Sequence, residues 1–383
     1  MQGMIARTYT RQVVDKLEKF PAVALLGARQ CGKTTLAQAL GGAYFDMESE
    51  GSQTRLDAEW DELAGGSELV IIDEAQRAPG VFPRLRGTID ADRKRNGRFL
   101  ILGSIAPALM ENVSESLAGR LGLVHMTPFI LPELKTRGMD DLWLWGGYPD
   151  GGILNPAMFP EWQRDYLETL ASRDLPTWGL PAKPQQTMRL LAMLAAVHGQ
   201  PLNASQLGAA LALDHKTVLS YCDFLEGAFL IRRLQPHFTN IKKRLVKRPR
   251  VFWRDSGLLH ALMNVTSLEQ LYRQPWLGAS WEGFVIEQSL AVLGAAGKRP
   301  QAFFLRTSDG YELDLVLDWG TELWAVEIKL TSNPSTDIID RLHKTADLID
   351  ADQRVLVCRI ARKIESDRLL VINPPGWLRT LAE

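Results

Sequence analysis

The sequence predicts an α/β fold. A three-layer core, with a parallel sheet between helices, leads into a helical connector, a winged helix-turn-helix and a second, smaller α/β domain. Three observations predict it. Short apolar runs ending in glycine or acidic residues alternate with helical stretches through residues 1–130. Three capped helical stretches follow one another in residues 187–235. Alternation with period two returns in "ELDLVLDW" and "LWAVEIKL". The expected segments are 1–130, 131–185, 186–262 and 263–383.

A chain of 383 residues, 46% of them hydrophobic, can bury two or three cores. The net charge of -1 excludes a uniformly basic nucleic-acid coat, so any DNA site is a local patch. Cys31, Cys222 and Cys358 lie far apart and are odd in number, which fits a reducing cytoplasm. The N-terminus lacks an apolar signal core, and no run approaches the roughly 18–20 apolar residues of a membrane helix. A cytoplasmic protein without membrane contact is expected.

"AVALLG" (22–27) predicts a buried strand and "TTLAQAL" (34–40) a helix. Between and across them, Gly27, Gly32, Lys33 and Thr34 fit G-x-x-x-x-G-K-[ST], a P-loop in its strand–loop–helix context. Gly27, Ala28, Arg29, Gln30, Cys31, Gly32, Lys33, Thr34 and Thr35 are the expected nucleotide-binding residues. Backbone N–H groups there can cradle phosphates, Lys33 can reach the β- and γ-phosphates, and Thr34 can ligate Mg²⁺. Cys31 simply fills a variable loop position. "AYFDME" (43–48) predicts an edge or second strand. "ELVIIDEAQ" (68–76) predicts a strand ending in Asp73, a Mg²⁺ ligand, and Glu74, a general base. The guanine-reading N-K-x-D is missing in the required order, so ATP is the expected nucleotide. "RFLILGS" (98–104) predicts a strand between these two, with Ser104 orienting the attacking water. Arg120 is the candidate for stabilising charge on the transferring phosphoryl group, in cis or from a neighbour; Arg84, Arg86, Arg93 and Arg95 are its rivals.

"GARQCGKTTL", "IIDEAQ", "ILGS", "SLAGR", "TPFILPEL" and "GGYPD" occur in this order. Over nearly the whole chain this series resembles a large set of prokaryotic AAA-type ATPases with a C-terminal domain of unknown function. The resemblance implies an AAA-like ATPase core, a winged helix and a C-terminal fold similar to restriction endonucleases. Two positions depart from the pattern: Ser104 replaces the usual sensor asparagine, and Ile105 stands where a small polar residue is usual.

Trp143, Trp145, Gly146, Gly147, Tyr148 and Pro149 predict a rigid turn, and "EWQRDYLETLASRDLP" (161–176) a helix, together a lid or connector. "NASQLGAALAL", with Asn203 or Ser205 as cap, and "DHKTVLSYCDFLEGAFL", with Asp214 as cap, suit a helix-turn-helix. A strand in "FLIRRLQPHF" and a basic hairpin or wing follow. Lys242, Lys243, Arg244, Lys247, Arg248 and Arg250 make six of the ten residues 241–250 basic. Such a patch can neutralise DNA phosphates, or can be a solvated loop or a protein contact.

"WEGFVIEQSLAVLG" (281–294) predicts an amphipathic helix carrying Glu282 and Glu287. Three strands follow in 303–331. Asp314 lies on the second; Glu327 and Lys329, two apart, face one side of the third. This constellation resembles the PD-(D/E)xK nuclease core. Asp314 and Glu327 could hold a divalent metal, Lys329 could orient hydroxide and phosphate, and Glu282 or Glu287 could complete the shell. The same fold could instead grip DNA without cutting.

The expected function is an ATP-hydrolysing motor or remodeller acting on duplex or branched DNA, as a homo-oligomer and in the ring form able to share an arginine between subunits. A regulatory switch binding protein or operator DNA is one alternative. A toxin or defence nuclease gated by ATP is another.

Overall fold

Apolar runs with no polar interruption must be covered on both faces, and parallel strands provide that. In the computed structural model, which describes residues 5–103, 117–237 and 246–383, β1 (Ala22–Gly27) is buried along its whole length. Helix α1 (Tyr9–Leu17) precedes it, and α2 (Lys33–Leu40) leaves from the loop after it. β2 (Ala43–Asp46), α3 (Glu50–Gly65), β3 (Val70–Asp73), α4 (Val81–Ala91), β4 (Phe99–Gly103) and β5 (Leu121–Met126) complete this part. The sheet order is β2-β3-β4-β1-β5, and every pairing is parallel. β4 therefore separates β1 from β3, as expected, and β2 is an edge strand. α1 packs on β1 and β5, α2 on β1 and β4, and α3 on β2.

The chain divides into two compact units. The first is residues 1–129 with the short pieces 227–229 and 295–297; the second is the remainder. The second begins with α5 (Met139–Trp145) and α6 (Glu161–Thr169), followed by α7 (Pro184–Ala196), α8 (Ala204–Leu211) and α9 (His215–Gly227). Asn203 accepts the Gln206 N–H (3.3 Å), and Asp214 accepts those of Lys216 (2.8 Å) and Thr217 (3.1 Å), so both expected caps are in place. Next come β6 (Ile231–Pro236), β7 (Arg250–Trp253), α10 (Ser256–Leu262), α11 (Leu268–Tyr272) and α12 (Leu277–Ala295). β8 (Gln301–Arg306), β9 (Glu312–Asp318), β10 (Leu323–Ile328), α13 (Thr336–Asp347), β11 (Gln353–Val357), β12 (Ile364–Glu365), β13 (Leu369–Ile372) and α14 (Pro374–Ala382) end the chain.

One eight-stranded sheet, β12-β13-β11-β10-β9-β8-β6-β7, runs through this unit. β6 joins it through a short parallel pairing with β8, Gln235 opposite Phe303 and Pro236 opposite Phe304. The sheet thus crosses the boundary expected at 262/263. The residues expected as a lid pack into the same unit. Trp143 is buried and donates to Ser280 Oγ (3.0 Å), and the Gly147 N–H donates to Asp255 (2.8 Å). The close fit explains Gly146: a Cβ there would stand 2.1 Å from an Asp255 oxygen. Helix α12 differs from the amphipathic helix expected. Residues 280–287 are buried on every side, because Trp143, Arg232, Arg254 and Trp377 reach it from four other segments. Among the described residues no helix is long and apolar enough to cross a membrane.

Candidate functional site

The loop between β1 and α2 is shaped by what surrounds it. A Cβ on Gly27 would lie 2.3 Å from the Met126 carbonyl oxygen of β5, so only glycine fits there. Gly32 has φ +96, a conformation that side chains rarely adopt. Lys33 is buried, and its Nζ donates to the carbonyls of Gly27 (3.0 Å) and Ala28 (2.9 Å), folding back over the loop. Cys31 is fully buried. Arg29 is half-buried, and Gln30 and Thr35 are exposed.

β3 brings its carboxylates to the same place. Thr34 Oγ1 donates to Asp73 Oδ2 (2.7 Å), so the hydroxyl and carboxylate expected to share Mg²⁺ are in direct contact. A hard cation takes oxygen ligands of this kind, and the pair fits it. The Glu74 N–H donates to Asp73 Oδ1 (2.9 Å). Glu74 itself is in the left-handed region (φ 49, ψ 41), which costs an ordinary residue about 1 kcal/mol. Its carboxylate accepts from Gln76 Nε2.

Two residues here escape a reading of the sequence. Tyr44, on β2, donates to Asp73 Oδ2 (2.9 Å), and burial together with the Asp73 charge raises its pKa. Arg7, just ahead of α1, donates to the carbonyls of Cys31 (2.8 Å), Thr127 (2.7 Å) and Pro128 (3.2 Å). Its guanidinium also lies over the Phe129 ring at 4.7 Å. Arg7 therefore braces the phosphate loop against the end of β5. Motif spacing signals neither residue, since both reach the loop through space.

Arg120 makes a two-pronged pair with Asp90 of α4, Nε to Oδ1 at 2.8 Å and a terminal nitrogen to Oδ2 at 2.9 Å. Hydrogen bonds from Arg120 and then Arg93 hold the Asp90 carboxyl down to about 2. Arg84 pairs with Asp57, and Arg95 donates to the carbonyls of Ala64 and Gly65. Arg86 is exposed on α4. Ser104 lies outside the described residues, as do Lys242, Lys243 and Arg244.

In the second unit, Glu282 of α12, Glu312 and Asp314 of β9, and Glu327 of β10 converge. Lys329 stands on one side, 2.6 Å from Glu327 and 3.4 Å from Asp314. The other side corrects an expectation. Arg250 does not face solvent or DNA. Only 4% of it is exposed, and it stands 2.7 Å from Glu282, 3.2 Å from Glu312 and 3.8 Å from Asp314. The cause is strand pairing: opposite Leu234 on β6, Arg250 turns its side chain into the unit. Lys247 and Arg248 are exposed.

Glu287 also departs from expectation. It pairs with Arg232 (2.5 Å) and Arg254 (3.5 Å). Five residues along a helix is a rotation of about 140°, so Glu282 and Glu287 cannot face one site. Burial, and next the Asp314 charge, push the Glu327 carboxyl up to about 8, against the pull of Lys329. The same two causes raise Glu282 well above the usual carboxylate range. Among the described residues no group of three or more His, Cys, Asp or Glu has the geometry to hold a metal ion. Arg250 stands against Asp314 and Lys329 against Glu327, the two carboxylates expected to hold a metal.

Residues 19–135 match the AAA domain family, 136–269 a domain of unknown function (DUF8612), and 277–376 another (DUF4143). The uncharacterized protein Rv2008c of Mycobacterium tuberculosis is 39% identical over 324 residues, spanning 83% of this chain and 72% of its own length. The uncharacterized protein Mb2031c of Mycobacterium bovis gives the same values. Among solved structures, a Walker-type ATPase of Pyrococcus abyssi is 16% identical, with a TM-score of 0.48 over 68% of this chain and 96% of that one. AMPPCP-bound DnaA of Aquifex aeolicus is 12% identical, with a TM-score of 0.27 over 59% and 90%. On identity and coverage this chain belongs to the family of the two mycobacterial proteins, with an AAA-type ATPase domain ahead of two domains of unknown function.

Proposed function

We propose that the protein hydrolyses ATP at the β1–β3 site and uses the cycle to remodel DNA held by its second unit. One observation carries the ATPase reading: Thr34 and Asp73 touch at 2.7 Å, with Glu74 next in the chain. Bound Mg²⁺ would neutralise phosphate charge. The loop N–H groups hold the phosphates, and Lys33 exchanges its two carbonyl partners for the β- and γ-oxygens. Glu74 accepts the proton of the attacking water while the β–γ bridging oxygen leaves with the bond electrons. An arginine, Arg120 or the exposed Arg86, completes the site of a neighbouring subunit in a homo-oligomer, a ring being the closed form.

The α8–turn–α9 pair followed by the β6–β7 hairpin supports a winged helix. The exposed Lys247 and Arg248 supply phosphate contacts. Asp314 and Glu327 on adjacent strands, with Lys329 just past the end of β10, support a nuclease-like fold. The ion pairs of Arg250 favour a fold that grips DNA over one that cuts it. The protein is expected to work in the cytoplasm.

The test is ATP turnover measured with single-stranded, duplex and branched DNA, Glu74→Gln serving as the inactive control. Turnover raised several-fold by one of these is the expected result. Turnover indifferent to all three removes the remodelling reading and leaves an ATP-controlled switch.

A further inference from the structure

We propose that Arg250 takes the place of a divalent cation in the acidic cluster of the second unit, so that this nuclease-like site is filled by the chain itself. The inference stands apart from the ATPase reading and does not depend on it.

A metal at the cluster would need oxygens of Asp314, Glu327 and Glu282 turned toward one point, at roughly 2.0–2.6 Å from it. Several of those oxygens face cations and N–H groups of the chain instead. Asp314 Oδ1 faces Arg250 at 3.8 Å, while its Oδ2 accepts the Ile328 N–H (2.8 Å) and faces Lys329 (3.4 Å). Glu282 Oε1 faces Arg250 at 2.7 Å. One guanidinium nitrogen thus lies between the carboxylates of α12 and β9, the space that the ion would occupy.

Arg250 is also fixed at its other end. Its Nε donates to the Gly199 carbonyl (2.6 Å), and the guanidinium lies 5.2 Å from the Phe252 ring centre and 5.7 Å from that of Phe304. Its strand is fixed as well, since Gly199 donates to the Val251 carbonyl (2.7 Å) and Val251 to that of Gln200 (3.1 Å). A guanidinium is always charged and is less strongly hydrated than an ammonium, which suits it to a buried site.

The charges agree. Glu282, Glu312, Asp314 and Glu327 face Arg250, Lys329 and, at 4.0 Å from Glu312, Arg306, which leaves one carboxylate in excess. Burial disfavours the charged forms of Glu282 and Glu327 and favours a proton on them. Glu327 Oε2 is buried without a hydrogen-bond partner, where such a proton can reside.

The test uses the full-length protein without nucleotide and Mn²⁺ alone as the probe, followed by electron paramagnetic resonance and calorimetry. Comparison with Asp314→Asn isolates the cluster from the phosphate loop. Wild type and Asp314→Asn should give the same Mn²⁺ titration. Arg250→Ala should gain one Mn²⁺ per chain, which Arg250→Ala/Asp314→Asn loses again. Arg250→Lys, which keeps the charge, should gain none. If Arg250→Ala does not fold, Arg250→Gln replaces it, with Mn²⁺ raising its melting temperature by more than that of wild type. A wild-type Mn²⁺ site that Asp314→Asn removes would overturn the proposal. So would a folded Arg250→Ala or Arg250→Gln protein without a new site.

Discussion

Asp255 allows the chemistry of a buried carboxylate to be read as stability. It caps α10, accepting the Leu258 N–H (3.0 Å), and it holds the Gly147 N–H (2.8 Å). Burial pushes its carboxyl from 3.8 up to about 6, although the backbone N–H groups oppose the shift. The unfolded chain releases this proton near pH 4 and the folded chain only near pH 6. Below pH 4 both forms are protonated and the contribution is fully present; it is lost as pH rises from 4 to 6 and stays lost above. A difference of about two pH units corresponds to about 3 kcal/mol. Asp255→Asn keeps the shape and removes the titration, at a constant cost from turning an amide N–H₂ toward one backbone donor. Thermal unfolding of both proteins from pH 4 to pH 8 reads the effect. The wild type should lose stability relative to the variant between pH 4 and 6, and the gap should be flat above that. A gap constant across the whole range would refute the reasoning.

Glu74→Gln should bind ATP normally and turn it over about 10²–10⁴-fold more slowly in a steady-state assay, since shape is kept and the base is lost. Arg7→Met removes the donors to Cys31, Thr127 and Pro128. It should raise KM for ATP about tenfold with kcat little changed, and Arg7→Lys should recover part of the loss; a purely structural role would lower the melting temperature and leave KM alone. Arg120→Ala should cut turnover about 10³-fold while sparing ATP affinity, and recovery on mixing with Lys33→Ala subunits would show that it acts across a subunit boundary. Reversing Lys247 and Arg248 to glutamate should lower the slope of log affinity against log salt for duplex DNA by about 0.9 per lost phosphate contact, measured by fluorescence anisotropy.

The nucleotide site was legible because its parts are marked at strand ends. "AVALLG" and "VIID" close on the candidate residues Gly27 and Asp73, and β1 and β3 end there. Tyr44 and Arg7 were not legible, since nothing in the spacing says that an edge-strand tyrosine reaches Asp73 or that an N-terminal arginine reaches the loop. Arg250 shows a different failure. Six basic residues within ten look like one surface, but a strand sends alternate side chains to opposite faces, and β7 begins at Arg250. Membership of the run outweighed the periodicity. Glu282 and Glu287 look equivalent in sequence, and helical rotation alone separates them.

The short seam between β6 and β8 bears on how this protein can be divided or inherited. The matches to 136–269 and 277–376 invite a cut between them. Such a cut would take β6 from the exposed edge of β8, leaving a bare strand edge on each fragment, a template for aggregation. It would also withdraw Arg250 from Glu282 and Asp314, and an orphaned buried charge costs about 3–5 kcal/mol. Fission of the gene at this point would give two fragments, each with an unpaired strand edge. The two matched segments share one sheet, so a transplant that keeps this sheet intact takes both.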